Sequence, residues 1–177
     1  MPRFRIDDSS AAHYLTFSCQ QRRPLFNDSN LCDRFLIHLD KVRSDMKFEL
    51  MAYVIMPSHI HLLIYPDTLL IRNILYRIKQ PFSYQAGQYL AEISSGLHRK
   101  LHVKRGTKWS FRFWLWGGGY DRLLYTNEEI QEKIKYIHRD PIRSGLVDLP
   151  DEYPWSSFHA YADPVGKPIP IDRPDWI

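Results

Sequence analysis

Met51-Ala52-Tyr53-Val54-Ile55-Met56-Pro57-Ser58-His59-Ile60-His61-Leu62-Leu63-Ile64-Tyr65 reads as two strands around a Pro-Ser turn. On a strand, residues two apart point to the same side. His59 and His61 therefore project together, while Ile60, Leu62 and Ile64 turn the other way into a core. Two imidazoles side by side on a rigid strand make two corners of a metal site. A lone strand histidine is usually packed or solvated; a pair at i, i+2 needs a reason, because it crowds polar groups onto one face. The spacing names neither the metal nor the reaction. A closed structural zinc site would take four ligands, and Cys19 and Cys32 lie far upstream with no Cys-x-x-Cys pairing.

Working outward, His13 to Gln20 alternates apolar and polar residues as a half-buried strand does. Arg22-Arg23-Pro24 breaks it. From about Asp28 to Asp45, Leu31, Phe35, Leu39 and Val42 recur at helical spacing, with Asp28 or Ser29 available as the cap. Phe48 to Met56 and His59 to Tyr65 form the hairpin. A second helix starts near Leu70 with Ile71, Ile74, Leu75 and Ile78 as its buried stripe; Pro81 is expected to kink or end it, with Phe82 to Leu90 able to continue as another turn or two. Gly96 to Lys108 reads as a basic loop, and a last strand falls near Tyr120 to Leu124. Thr126-Asn127-Glu128-Glu129 is a capping box. Ile130, Ile134 and Ile137 follow as a core stripe, and Pro141 is expected to close that helix. The Pro-rich tail, irregular from about residue 148, is expected to wrap the domain through Trp155 and Phe158.

The order strand, helix, strand, strand, helix, strand, helix predicts an α+β fold. Its first six elements make a ferredoxin-like split β-α-β with a central antiparallel sheet, and the C-terminal helix is additional. The whole chain, residues 1–177, is expected to be one domain, a length that can bury a proper core. The formal net charge of +4 suits a polyanionic partner, although many unrelated proteins share it. Two cysteines make no disulfide framework, which predicts a reducing, cytoplasmic setting. No apolar run reaches membrane-spanning length, and no signal-peptide pattern opens the chain, so no membrane partner is expected.

Eleven tyrosines are present, and the capped helix singles out one. Tyr136 lies six positions past Ile130, well off the isoleucine stripe. Asp140 follows four residues later, on nearly the same side. If that flank faces the paired histidines, Asp140 can complete a metal site with Tyr136 beside it. The ordinary alternative is a helical tyrosine that covers the core edge with its hydroxyl wet. Asp140 would then be a helix-end residue before a proline, where helical geometry is disfavoured.

These segments resemble the REP-associated tyrosine transposases, members of the HUH superfamily of single-strand DNA transposases. The likeness rests on Gln20-Gln21-Arg22-Arg23-Pro24-Leu25-Phe26, on Ala52 to Leu63 and on Ile78-Lys79. It continues through Gly117-Gly118-Gly119-Tyr120-Asp121-Arg122, Tyr136 to Val147 and Tyr153-Pro154-Trp155-Ser156-Ser157. The resemblance implies that the additional C-terminal helix carries a nucleophile, Tyr136, and that His59 and His61 are metal ligands. Asp140 falls where the family usually carries an Asn or Gln that helps hold the metal. A carboxylate there would bind a divalent ion more tightly and leaves the metal preference open. Leu115-Trp116 likewise replaces the usual Trp-Gln before the glycine run.

The implied reaction is cleavage and rejoining of single-stranded or hairpin DNA through a 5′-phosphotyrosine, with Mg²⁺ or Mn²⁺ as cofactor. Hard Mg²⁺ prefers oxygen ligands, so Mn²⁺ suits two histidines at least as well. A tyrosine phenol, with a pKa of about 10, needs less activation than a serine hydroxyl. It also conserves the phosphodiester bond for a second strand. The competing classes are a metallohydrolase with a metal-activated water and a DNA-hairpin-binding module without catalysis. Relatives include monomers and homodimers. Candidate DNA contacts are Arg99, Lys100, Lys104, Arg105 and Lys108 in the acid-free basic loop, which also holds His98 and His102; a solvated surface loop is the alternative. Arg22, Arg23 and Lys79 are further candidates. Trp109, Phe111, Phe113, Trp114 and Trp116 could stack on unpaired bases, although such a cluster is more often core.

Overall fold

The hairpin forms as its pattern predicts: β2 (Glu49–Met56) turns through Pro57-Ser58 into β3 (His59–Tyr65). The structure, a computed structural model, describes residue 8 and residues 10–117, 119–162 and 169–173; the side chains of Ser95 and Arg105 also lie outside the described residues. β1 (Ala12–Ser18) pairs antiparallel with β3, and β6 (Tyr120–Leu124) pairs antiparallel with β1. The strand order β2-β3-β1-β6 is that of a split β-α-β sheet, so the strand bearing the histidines is interior. The α+β, ferredoxin-like expectation is borne out.

Strand alternation divides the sheet into two apolar faces. Leu15, Phe17, Ile60, Leu62 and Ile64 point to one face. It is covered by α1 (Ser29–Met46), through Leu31, Phe35, Leu39 and Val42, and by α2 (Ile71–Ile93). Asp28 caps α1 by accepting from the Asn30 amide at 2.9 Å. The opposite face carries Ala12, Tyr14, Val54 and Leu63. It is covered by α4 (Asn127–Arg143), whose Ile130, Ile134 and Ile137 are buried against it. Both bonds of the α4 capping box are present, from the Glu129 amide to Thr126 and from the Thr126 amide to Glu129.

Two sequence expectations need correction, and one open between alternatives is resolved. Pro81 does not end the second helix, which continues for twelve residues beyond it to Ile93. A helical proline has no N–H for the carbonyl four residues back, here that of Arg77. The His38 Nε2 serves that carbonyl instead, 3.2 Å from Arg77 O and 2.9 Å from Ile78 O. Pro141 does not close α4 either. The stop lies at Gly145, with φ +67°, where Leu146 N bonds Pro141 O and Gly145 N bonds Ile142 O, both at 2.9 Å. That pair of bonds is the glycine-terminated Schellman arrangement.

Residues 96–108 are not a loop. They form most of α3 (Ser95–Lys100), then β4 (His102–Arg105), which pairs with β5 (Lys108–Phe111) in a separate two-stranded sheet. The tail does close over the sheet. Ile55 N bonds Trp155 O and Ser157 N bonds Tyr53 O, both at 3.0 Å, so residues 155–157 cover the outer edge of β2 before the short helix α5 (Phe158–Ala162).

Candidate active site

The site is built where β3 passes beneath α4. His61 sits opposite Thr16 on β1 and Val54 on β2; His59 sits opposite Ser18 and Met56. The neighbouring strands β1 and β2 thus fix the backbone on either side, and the strand period sends both rings toward α4. Asp140 descends from α4 to meet them. Its Oδ2 lies 3.3 Å from His61 Nε2 and 3.7 Å from His59 Nε2, and the two Nε2 atoms are 3.1 Å apart. Proline after Asp140 does not displace it, because α4 stays helical through Arg143.

This trio fits one divalent ion. Donor atoms held ~2.0–2.2 Å from a common centre lie roughly 2.8–3.6 Å from one another in octahedral or tetrahedral arrangements, close to the three separations observed. The mixed nitrogen and oxygen set suits Mn²⁺ and Zn²⁺ as well as Mg²⁺. Among the described residues, His59, His61 and Asp140 are the group of three whose ligand atoms converge in this way.

The neighbours set the protonation of the trio. Tyr14 OH and Thr16 Oγ1 each lie 2.7 Å from His61 Nδ1. With Nδ1 facing hydroxyls, a neutral His61 presents its Nε2 lone pair to Asp140 and His59 when Nδ1 keeps the proton. The Tyr14 ring stacks near the imidazole at 5.4 Å and 17°. Burial pushes the His61 imidazole below its ordinary range, favouring the neutral form that binds metal. Burial raises the Asp140 carboxyl, but the facing ring nitrogens of His59 and His61 and the positive charge of Arg143 outweigh it and hold the group well below the usual carboxylate range. Burial drives the Tyr14 phenol well above its ordinary value, so Tyr14 stays protonated.

Tyr136 is half-buried on the flank of α4, its ring 6.2 Å from that of His61 and 6.2 Å from that of Tyr14. Arg143 Nη2 donates to the Tyr136 hydroxyl at 2.9 Å, and the same nitrogen lies 3.5 Å from Asp140 Oδ1. The Arg143 guanidinium carbon stands 4.0 Å and Lys133 Nζ 4.6 Å from the centre of the Tyr136 ring. The chain therefore brings Tyr136, His59, His61 and Asp140 together as a unit. Arg143, Lys133, Tyr14 and Thr16 join them, and sequence reasoning did not find these four as functional residues. The signal for Arg143 was its place one helical turn past Asp140, hidden by the expected stop at Pro141.

The expected DNA contacts divide. Arg22 and Lys79 line one concavity beside the site, with Thr16, Trp116, Gly119 and Tyr120. Arg23 turns toward Gln21, its Nη2 2.9 Å from the Gln21 side-chain oxygen. Arg99 and Lys100 are exposed on α3, and Lys104 and Lys108 on the β4–β5 hairpin; none of the four lines that concavity. The side chain of Arg105 lies outside the described residues. The aromatic cluster also splits. Phe113 and Trp114 are core, Phe111 is half-buried, and Trp109 and Trp116 are 65% and 67% exposed.

The antiparallel β2-β3-β1-β6 sheet thus presents paired strand histidines to a helical tyrosine. The chain belongs to the family described as "Transposase IS200 like", which residues 9–140 match. It is similar to a protein of Haemophilus influenzae named "Putative REP-associated tyrosine transposase", with 30% identity over 116 residues. That match covers 63% of this chain and 60% of the relative, so the chain spans about three fifths of the curated protein's length. Its fold is that of a solved REP-associated tyrosine transposase bound to a REP hairpin, with a TM-score of 0.64 at 19% identity. That comparison covers 100% of this chain and 94% of the other. Among the described residues, no helix is long and apolar enough to cross a membrane.

Proposed function

We propose that this chain is a metal-dependent single-strand DNA endonuclease and strand transferase that cleaves through a covalent 5′-phosphotyrosine at Tyr136. The observation that carries the reading is the convergence of His59, His61 and Asp140, with ligand atoms 3.1–3.7 Å apart, beside the ring of Tyr136. Membership of the IS200-like transposase family supports the reaction class. The REP hairpin bound to the structural neighbour supports hairpin DNA as the substrate.

The chemistry follows from charge and geometry. The Tyr136 oxygen attacks the phosphorus of a phosphodiester. The bond from phosphorus to the 3′ oxygen breaks, the phenol gives up its proton, and the departing 3′ oxygen takes one up. A divalent ion held by His59, His61 and Asp140, Mg²⁺ or Mn²⁺, would supply positive charge for the non-bridging phosphate oxygens. Arg143 donates to the attacking oxygen and places positive charge beside it. Tyr14 and Thr16 hold the His61 ring in place. The phosphotyrosine keeps the energy of the broken linkage, so another 3′-hydroxyl can reverse the step on a different strand.

The test is incubation with Mn²⁺ and single-stranded oligonucleotides copied from repeats around the gene, followed by a denaturing gel. A protein band shifted by covalent DNA is expected, and Tyr136→Phe should abolish it. Cleavage that persists in Tyr136→Phe without any adduct would instead assign the site to hydrolysis by water.

A further inference from the structure

Just before β6 the chain approaches the end of β1 and then joins the sheet. Leu115 N bonds Ser18 O at 2.8 Å, and pairing resumes at Tyr120 opposite Thr16. Glycine is required at the point of entry. Gly119 has φ +79°, and a Cβ there would stand 2.0 Å from Thr16 O. Gly117, at φ +101°, is tied to α2 by Lys79 Nζ, which donates to its carbonyl at 3.1 Å.

Leu115, Trp116 and Gly117 wall two adjoining concavities. One, of about 430 Å³, lies between α2 and residues 110–117. The other, of about 300 Å³, runs to Thr16, whose hydroxyl touches His61. They share Lys79, Leu115, Trp116 and Gly117. Together they make a groove that leads away from the metal-ligand trio.

Its chemistry is one-sided. Lys79, Arg112 and Arg22 line it, and among the described residues no carboxylate does. The large concavity on another part of the surface, about 750 Å³, is lined by Glu49 and Asp172 along with Arg173. Trp116 is 67% exposed at the junction of the two parts, with the Arg112 guanidinium carbon 4.8 Å from its ring centre. A flat aromatic face among cations, with no acid to repel a phosphate, is what an unpaired nucleotide requires. A duplex would present only its backbone to such a cleft.

We propose that this groove is a subsite for an unpaired nucleotide of the DNA strand next to the cleaved phosphodiester. Its base stacks on Trp116, and the flanking phosphates lie against Lys79, Arg112 and Arg22. The assignment rests on the reading of the chain as a single-strand DNA enzyme, and it adds where the strand runs and which side chain holds a base.

The experiment uses the full chain and a short oligo(dT) carrying 5-iodouracil, with an unlabelled duplex of the same length for comparison. Photocrosslinking followed by peptide mass spectrometry should place the adduct on Trp116. Trp116→Ala should weaken oligo(dT) binding on the order of tenfold, and Trp116→Phe should restore most of it; duplex binding should change little in either variant. A crosslink at Trp109, on the separate β4–β5 hairpin, or oligo(dT) affinity unchanged in Trp116→Ala, would overturn the subsite. The Tyr136 adduct assay reads the underlying function independently. An adduct with unaltered Trp116→Ala binding defeats the groove alone. Trp116-dependent binding without any adduct leaves the groove and defeats the enzyme.

Discussion

Arg143 Nη2 and the Tyr136 hydroxyl are 2.9 Å apart, seven residues along the same helix, and the guanidinium also covers the Tyr136 ring. The contact matters because the phenol oxygen must become an anion to attack. A hydrogen bond involving a charged group contributes about 1.5–3 kcal/mol. Arg143→Gln is therefore expected to slow adduct formation roughly 10- to 100-fold, with metal binding retained. Single-turnover kinetics on an oligonucleotide, with Mn²⁺ saturating, measure this. An unchanged rate would remove Arg143 from the reaction.

The metal trio makes a prediction that does not depend on catalysis. An ion that binds the folded chain stabilises it by about 2.7 kcal/mol at a hundred times its Kd. For a chain of this size that raises Tm by roughly 5–10 °C. Mn²⁺ should produce such a shift in the wild type and none in Asp140→Ala. Asp140→Asn keeps an oxygen ligand but loses a charge, so it should respond only at higher Mn²⁺. Thermal melts across a Mn²⁺ titration read all three; equal shifts in wild type and Asp140→Ala would exclude Asp140 as a ligand.

What could be read in advance was whatever a local period encodes. The two-residue strand repeat aimed His59 and His61 together. The capping box fixed the phase of α4, which set Tyr136 and Asp140 off the isoleucine stripe. What was hidden depended on partners distant in sequence. Tyr14 and Thr16 reach His61 only because β1 pairs with β3 in one register. The continuation of α2 through Pro81 depends on His38, 39 residues before the carbonyl of Arg77. The hairpin of β4 and β5 was masked because its exposed strand residues carry the charges expected of a loop.

That proline relief can be isolated. His38→Ala should cost about 1–3 kcal/mol, the penalty for leaving a buried acceptor unserved. In a Pro81→Ala background the missing amide returns and can bond Arg77 O itself. The cost of His38→Ala should then shrink. Urea denaturation of the wild type, the two single variants and the double variant measures the coupling. An identical cost in both backgrounds would mean that His38 acts through packing on Phe82, whose ring lies 6.1 Å away, and not through the carbonyl.

His138 gives the fold a pH dependence with a defined sign. The ring is buried under the tail, its Nε2 2.9 Å from Ser157 Oγ and its faces near Phe158 and Tyr161. Burial pushes its pKa down to about 4, from 6.5 in its ordinary state. Between these values the unfolded chain binds a proton at this position that the folded chain refuses. The contribution to stability is therefore complete above about pH 6.5 and is lost as pH falls toward about 4, roughly 3 kcal/mol in all. Burial lowers His38 and His61 as well, which adds to the loss in the same direction. Urea midpoints of the metal-free protein should fall between about pH 7 and about pH 4.5. His138→Gln, which keeps a polar group for Ser157 but cannot titrate, should fall less steeply. Parallel curves for the two proteins would show that His138 accepts its proton without unfolding, most simply by the tail lifting away from α4.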